Sequence, residues 1–149
     1  MNQTQIQTLV DKQREFFYTG KTLDISYRIQ ALQKLKACIS QNEEAISQAI
    51  RSDLGKSSFE SYMCETGLVL SEISYMLKHV RSLSREKRVH TPLAQFHSRS
   101  YTKPSPSGVV LVMSPWNYPF LLSMDPLADA IAAGNTVILK PSAYSPATS

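Results

Sequence analysis

Two short polar clusters in the last third of the chain hold the residues best equipped for chemistry. One is Ser114-Pro115-Trp116-Asn117-Tyr118 and the other is Lys140-Pro141-Ser142. An asparagine amide donates hydrogen bonds without titrating near neutral pH, a lysine supplies a cation, and serine hydroxyls both donate and accept. Such groups bind and polarise. Each also has an ordinary structural use: Asn117 can cap the helix that follows it, and Lys140 can extend its stem from a strand end to solvent. The two thiols are poor nucleophile candidates. Cys38 and Cys64 fall in predicted helices, with no basic neighbour placed to lower a thiol pKa. They also lack metal-ligand spacing, so no metal site is expected.

The elements around the clusters explain why chemistry belongs there. Gly108 to Met113 is a continuous apolar, β-branched run, the pattern of a strand buried on both faces. From Pro119 to Ala133 a helical rhythm follows, with Leu122, Pro126/Leu127, Ala130 and Ala133 three and four residues apart. Gly134-Asn135 closes that helix, and Thr136 to Lys140 is a second apolar run stopped by Pro141. Strand, helix and strand in this length make a right-handed βαβ crossover. Ligands of such sheets sit just past the carboxyl ends of the strands, where both polar clusters lie.

Upstream the pattern is helical. Residues 4–18 carry Ile6, Leu9/Val10, Gln13 and Phe16/Phe17 on one face, and Gly20 fits the position after a helix end. A second helix starts after Asp24 or Ser26, its stripe being Ile25, Ile29, Leu32, Leu35 and Ile39, with Arg28, Lys34 and Lys36 facing out. A third, through Ala45/Ile46, Ala49/Ile50 and Leu54, ends at Gly55. Ser57-x-x-Glu60 forms a capping box that opens the longest helix. Its stripe of Phe59, Tyr62/Met63, Thr66, Val69/Leu70, Ile73, Met76/Leu77 and Val80 is expected to pack on its own domain. Lys78 to His90 is basic and suits a helix end and linker. Thr91 to Ser107, with Pro92, Pro104 and Pro106, suits an exposed β-ribbon.

Composition narrows the classes. The chain has 149 residues, 42% of them hydrophobic, which is ample for one core. A net charge of +4 is only mildly basic, and the Lys78–His90 run lacks the interleaved aromatics of a nucleic-acid surface. No apolar run is long enough to span a bilayer, and the amino terminus does not read as a signal peptide. Two cysteines cannot make a disulfide framework, so a soluble, reduced, cytoplasmic protein is expected.

In the order SPWNYPF (114–120), AIAAGNTVILKPS (130–142) and, upstream, DLGK (53–56), the chain resembles the aldehyde dehydrogenase superfamily, class 3-like branch. The resemblance extends over essentially the whole chain. It implies an α/β fold in which amino-terminal helices (1–90) and an extended arm (91–107) precede the first βαβ unit (108–149) of a Rossmann-like NAD(P)-binding domain, here incomplete. It implies NAD or NADP as cofactor, a small-molecule aldehyde as substrate and a homodimer to which the arm contributes. By the same resemblance Asn117 is the oxyanion-hole donor, Lys140 and Ser142 meet the ribose hydroxyls of the cofactor, and Ser114, Pro115 and Trp116 line its nicotinamide half. Ala143 departs from the pattern, because the family usually has a glutamate there that repels a 2′-phosphate.

The family's catalytic cysteine, general-base glutamate and phosphate loop have no counterpart in this chain, whose five glycines form no GxGxxG. Ser145-Pro146 reads as the start of a further helix. The chain is therefore expected to be the amino-terminal part of an aldehyde-oxidising enzyme and inactive by itself. Two other readings stand beside this one: a non-catalytic cofactor-binding or dimerisation remnant, and an acylating sibling that uses coenzyme A.

Overall fold

A computed structural model describes residues 2–149. Helix α1 (Gln3–Tyr18) is opened by a capping box between Asn2 and Gln5 and closed through Gly20, whose φ of 75° is left-handed. Asp24, rather than Ser26, caps α2 (Ile25–Gln41) by accepting from the Ser26 and Tyr27 amides. Helix α3 (Glu43–Leu54) ends at Gly55, also left-handed at φ 70°. Three segments then run on from one another: α4 (Ser58–Ser61), a π-helical turn (Tyr62–Thr66) and α5 (Gly67–Leu83). The core is helical. Leu32, Ile39, Ile50, Val69, Ile73, Val80, Phe120, Ala128 and Ala132 are buried together.

The crossover unit forms as the periodicity predicts. Strand β3 (Val109–Met113), helix α6 (Leu121–Ala133) and strand β4 (Thr136–Lys140) follow in order, and β3 pairs with β4 in parallel from Val109↔Thr136 to Met113↔Lys140. The turn from α6 into β4 uses Gly134 at φ 91°, and buried Asn135 accepts from the Gly108 amide through its side chain. The prolonged arm holds two short antiparallel strands, β1 (Lys87–Val89) and β2 (Ser100–Thr102). Its first strand lies inside the stretch assigned to a helix end and linker. Helix ends at Leu83, and the extended arm begins at Lys87 instead of Thr91.

Three other expectations need correction. The strands are not buried on both faces: Val112 is buried, but Leu111 and Met113, on the opposite face by strand alternation, are 58% and 68% exposed. Helices α1 and α6 lie against this two-stranded sheet, and that face stays exposed at Leu111 and Met113. The long apolar stripe is also broken. Phe59, Tyr62 and Met63 are exposed, while Ser61 and Glu65 are fully buried. A π turn inserts one residue, which rotates everything before it by about 100° relative to the helix that follows. Gly67 marks the insertion, since a Cβ there would lie 2.7 Å from the Tyr62 carbonyl oxygen. Finally, Arg28 does not face out. It is 7% exposed and donates to the carbonyls of Thr22, Leu23 and Ala132.

Helices α5 and α6 pack together and bring the carboxylates of Glu72, Asp125 and Asp129 near one another. Burial, then the charges of Glu72 and Asp129, push Asp125 up to about 6 from an ordinary 3.8. One of its oxygens is buried with no hydrogen-bond partner among the described residues. Glu72 is raised by burial and then by Asp129; Asp129 is raised by burial against a partial offset from a Glu72 hydrogen bond. A carboxyl whose folded pKa is raised binds more protons folded than unfolded. Its stabilising share is therefore present near pH 4 and lost as pH rises through 6. Asp125→Asn should raise stability at pH 7.5 by about 1–2 kcal/mol, allowing for partial solvent screening, and flatten the pH dependence between about 4 and 6. Urea titrations across that range measure both effects.

Candidate functional site

The carboxyl ends of β3 and β4 are fastened to each other, because the Ser114 amide donates to the Lys140 carbonyl oxygen at 3.2 Å. The Ser114-to-Tyr118 loop and the Lys140-to-Ser142 corner thus leave adjacent strands side by side. The buried Ser114 hydroxyl is 2.7 Å from the Ser123 hydroxyl on α6, so this residue offers its surroundings backbone rather than side chain. Pro115 and Trp116 are exposed, Trp116 by 53%. Lys140 is exposed, and its ammonium makes no bond among the described residues. Ser142 is buried; its hydroxyl accepts from the Tyr144 amide at 3.2 Å and retains its proton for a further acceptor.

Asn117 is exposed, and its side-chain amide has no hydrogen-bond partner among the described residues. It does not cap the next helix. The first position of α6 is flanked by Phe120, which contributes no side-chain cap. Glu65, reaching over from the π turn, does that work: one carboxylate oxygen accepts from the Phe120 amide at 2.9 Å and the Leu121 amide at 3.3 Å. Its other oxygen is 2.6 Å from the Lys56 ammonium. Lys56 also donates to the Asn117 carbonyl oxygen at 3.3 Å and lies 4.1 Å from the centre of the Tyr118 ring. Asn117 is thereby held by its main chain while its side chain stays free.

A second carboxylate acts in the same way at the end of the chain. Asp53 accepts from the amides of Ala147 (3.1 Å) and Thr148 (2.8 Å) and from the Thr148 hydroxyl (2.7 Å). Burial pushes its carboxyl up, but the Thr148 hydroxyl and the two amides outweigh that and hold it below the usual range. These amides are the second and third after Ser145, where a helix cap would act. Ser145 itself donates its hydroxyl to the Ser142 carbonyl instead, and residues 145–149 form one turn closed by the Ser149 amide on the Ser145 carbonyl. Glu65, Lys56 and Asp53 were not among the candidate residues of the sequence. The only signal for them was the DLGK run itself, and for Glu65 a charge beside an apolar stripe.

The arrangement supplies a neutral amide donor, an ammonium without a partner among the described residues and a hydroxyl, set at the carboxyl ends of two parallel strands. These groups can bind and polarise a ligand lying across the strand ends. Cys38 is exposed near the end of α2, where the Asn42 amide is its neighbour, and Cys64 is half-buried in the π turn. A cavity of about 710 Å³ lies elsewhere, between α2, α5, α6 and residues 103–106. Among the described residues no group of His, Cys, Asp and Glu could hold a metal, and no helix is long and apolar enough to cross a membrane.

Comparison with known proteins adds an independent line. The sequence profile of the aldehyde dehydrogenase family matches residues 1–149. The chain is 44% identical over 133 residues to the 4,4'-diaponeurosporen-aldehyde dehydrogenase of Staphylococcus aureus, covering 89% of this chain and 29% of that protein. It is 41% identical over 140 residues to the dimeric NADP-preferring aldehyde dehydrogenase of Rattus norvegicus, covering 94% of this chain and 31% of that protein. A substrate-bound structure of Staphylococcus aureus AldH superposes with a TM-score of 0.92 at 41% identity, covering 99% of this chain and 32% of that one. The chain spans about 30% of the length of the curated relatives it matches.

Proposed function

Because this chain belongs to the aldehyde dehydrogenase family, we propose that it forms the amino-terminal, cofactor-binding part of an NAD(P)-dependent enzyme oxidising an aldehyde to a carboxylate. The observation that carries the reading is the Asn117 side-chain amide, left free on a loop whose backbone is tied down. A cysteine thiolate from the remainder of the enzyme adds to the aldehyde carbon, and negative charge develops on the carbonyl oxygen. Asn117 donates its N–H to that oxygen, and the thioester left after oxidation is hydrolysed to the acid.

The strand ends fit a nicotinamide dinucleotide. Lys140 presents an ammonium that makes no bond among the described residues and Ser142 a hydroxyl with a proton to donate, both suited to ribose hydroxyls, while Ser114, Pro115 and Trp116 offer backbone and an aromatic face beside them. The cofactor supplies the hydride acceptor. In this reading the 149-residue chain has no turnover by itself, and the full-length enzyme is a cytoplasmic homodimer that uses the β1–β2 arm in assembly.

The test is an assay of the full-length enzyme with aldehydes, following nicotinamide absorbance with each cofactor. Aldehyde-dependent reduction is expected; its absence with every aldehyde tried would sink the proposal. Ala143, exposed beside Ser142, brings no negative charge toward a 2′-phosphate. NADP should therefore be accepted at least as readily as is usual in the family, and Ala143→Glu should shift preference toward NAD by about tenfold, the worth of one partly screened like-charge contact. A strong wild-type preference for NAD would overturn the cofactor part alone.

A further inference from the structure

The ion pair of Lys56 and Glu65 lies beneath the loop that leaves β3, and its partners there are unusually complete. Glu65 is 0% exposed, an arrangement that costs desolvation unless every lone pair is used. Both oxygens are used, and for different things. One closes the amino end of α6 through the Phe120 and Leu121 amides; the other takes the Lys56 ammonium. That ammonium spends its remaining contacts on the Asn117 carbonyl and the Tyr118 ring. Every link ends on residues 117–121, and none of them on the Asn117 side chain. Glu65 sits in the π turn, four residues before buried Val69 and eight before buried Ile73, on the inward face that α5 continues.

We propose that Lys56 and Glu65 are positioning residues for Asn117: they clamp the Ser114–Phe120 loop so that the Asn117 amide is already aimed before charge develops on the substrate. The inference rests on the dehydrogenase reading and assigns that site a support drawn from a separate helical layer. An oxyanion donor stabilises a transition state only insofar as it needs no reorganisation, so loosening its backbone should slow the chemical step more than it weakens binding. Lys140 and Ser142, on the other strand end, do not depend on the clamp.

The experiment compares the wild-type full-length enzyme with Lys56→Met and with the double variant Lys56→Met/Glu65→Gln. The double variant retains an acceptor for the Phe120 amide and removes the buried unpaired charge that the single one leaves. Each is assayed for kcat and cofactor KM, for thermal midpoint, and for acrylamide quenching of Trp116, isolated by subtracting the Trp116→Phe background. Expected in both variants is a fall in kcat of about 10- to 100-fold, with cofactor KM changed less than about threefold, and stronger Trp116 quenching. The double variant should regain thermal stability without regaining kcat. Recovery of kcat together with stability would reduce the pair to a structural role and overturn the proposal, as would unchanged quenching. A wild type inactive on aldehydes would remove the dehydrogenase reading, while the quenching result would still decide whether the pair clamps the loop.

Discussion

Asn117→Ala is expected to lower kcat of the full-length enzyme about 100- to 1,000-fold, equivalent to about 3–4 kcal/mol of transition-state stabilisation. The same change should alter folding stability by less than about 0.5 kcal/mol, because the side chain it removes is exposed and bonds nothing among the described residues. That separation is the informative part. A capping asparagine would show the reverse, with about 1 kcal/mol of stability lost and no reason for the chemistry to suffer. Here the capping is done by Glu65, so the two roles are already divided between two side chains. Since an amide does not titrate near neutral pH, the deficit of the variant should be the same across the working pH range. Steady-state kinetics with a thermal melt on the same preparation measure both halves. A variant whose kcat stays within about threefold of wild type would remove Asn117 from the reaction, because loss of a real oxyanion donor exceeds that by more than tenfold.

Much of this architecture was open to reading because it is written in local patterns. Gly20, Gly55 and Gly134 each follow an apolar helical stripe, and each adopts the left-handed conformation that ends a helix there. The β-branched runs at 109–113 and 136–140 are strands, and the spacing between them leaves room for one crossover helix. What escaped reading depends on contacts far apart in sequence. Glu65 sits 55 residues from the amide it caps, and Asp53 sits 94 residues from Ala147. Neither shows a local sign of its partner, although both lie in or near the run that carries the family resemblance. The π turn was missed for a related reason. Its cause is a choice between hydrogen-bond partners four and five residues back, and the residue types of 62–66 suit either. The bare face of β3 is a matter of what surrounds the strand, which its own composition cannot express.

Arg28 is the residue most at odds with its predicted place, and Arg28→Met should cost about 3 kcal/mol or more. Its guanidinium donates to the Thr22 carbonyl at 2.6 Å, the Leu23 carbonyl at 3.1 Å, the Ala132 carbonyl at 3.3 Å and the Ser84 hydroxyl at 3.4 Å. It thus joins the turn before α2, the end of α5 and the last turn of α6, where unpaired carbonyls concentrate negative partial charge. Burial pulls its pKa below the usual guanidinium range, against a partial offset from Asp24. Methionine fills similar volume but leaves two buried carbonyls, of Thr22 and Ala132, without this donor, at about 1–3 kcal/mol each before water enters. Gly134 is the other half of this contact. A Cβ there would come within 2.7 Å of the guanidinium carbon, and its φ of 91° strains any L-residue. Gly134→Ala should therefore cost about 2 kcal/mol or more in wild type, part clash and part backbone. In an Arg28→Met background the clash is gone and only the backbone part remains. The two substitutions should then be sub-additive by about 1 kcal/mol in a urea double-mutant cycle. Additivity within about 0.3 kcal/mol would mean the guanidinium does not occupy the space the glycine leaves open.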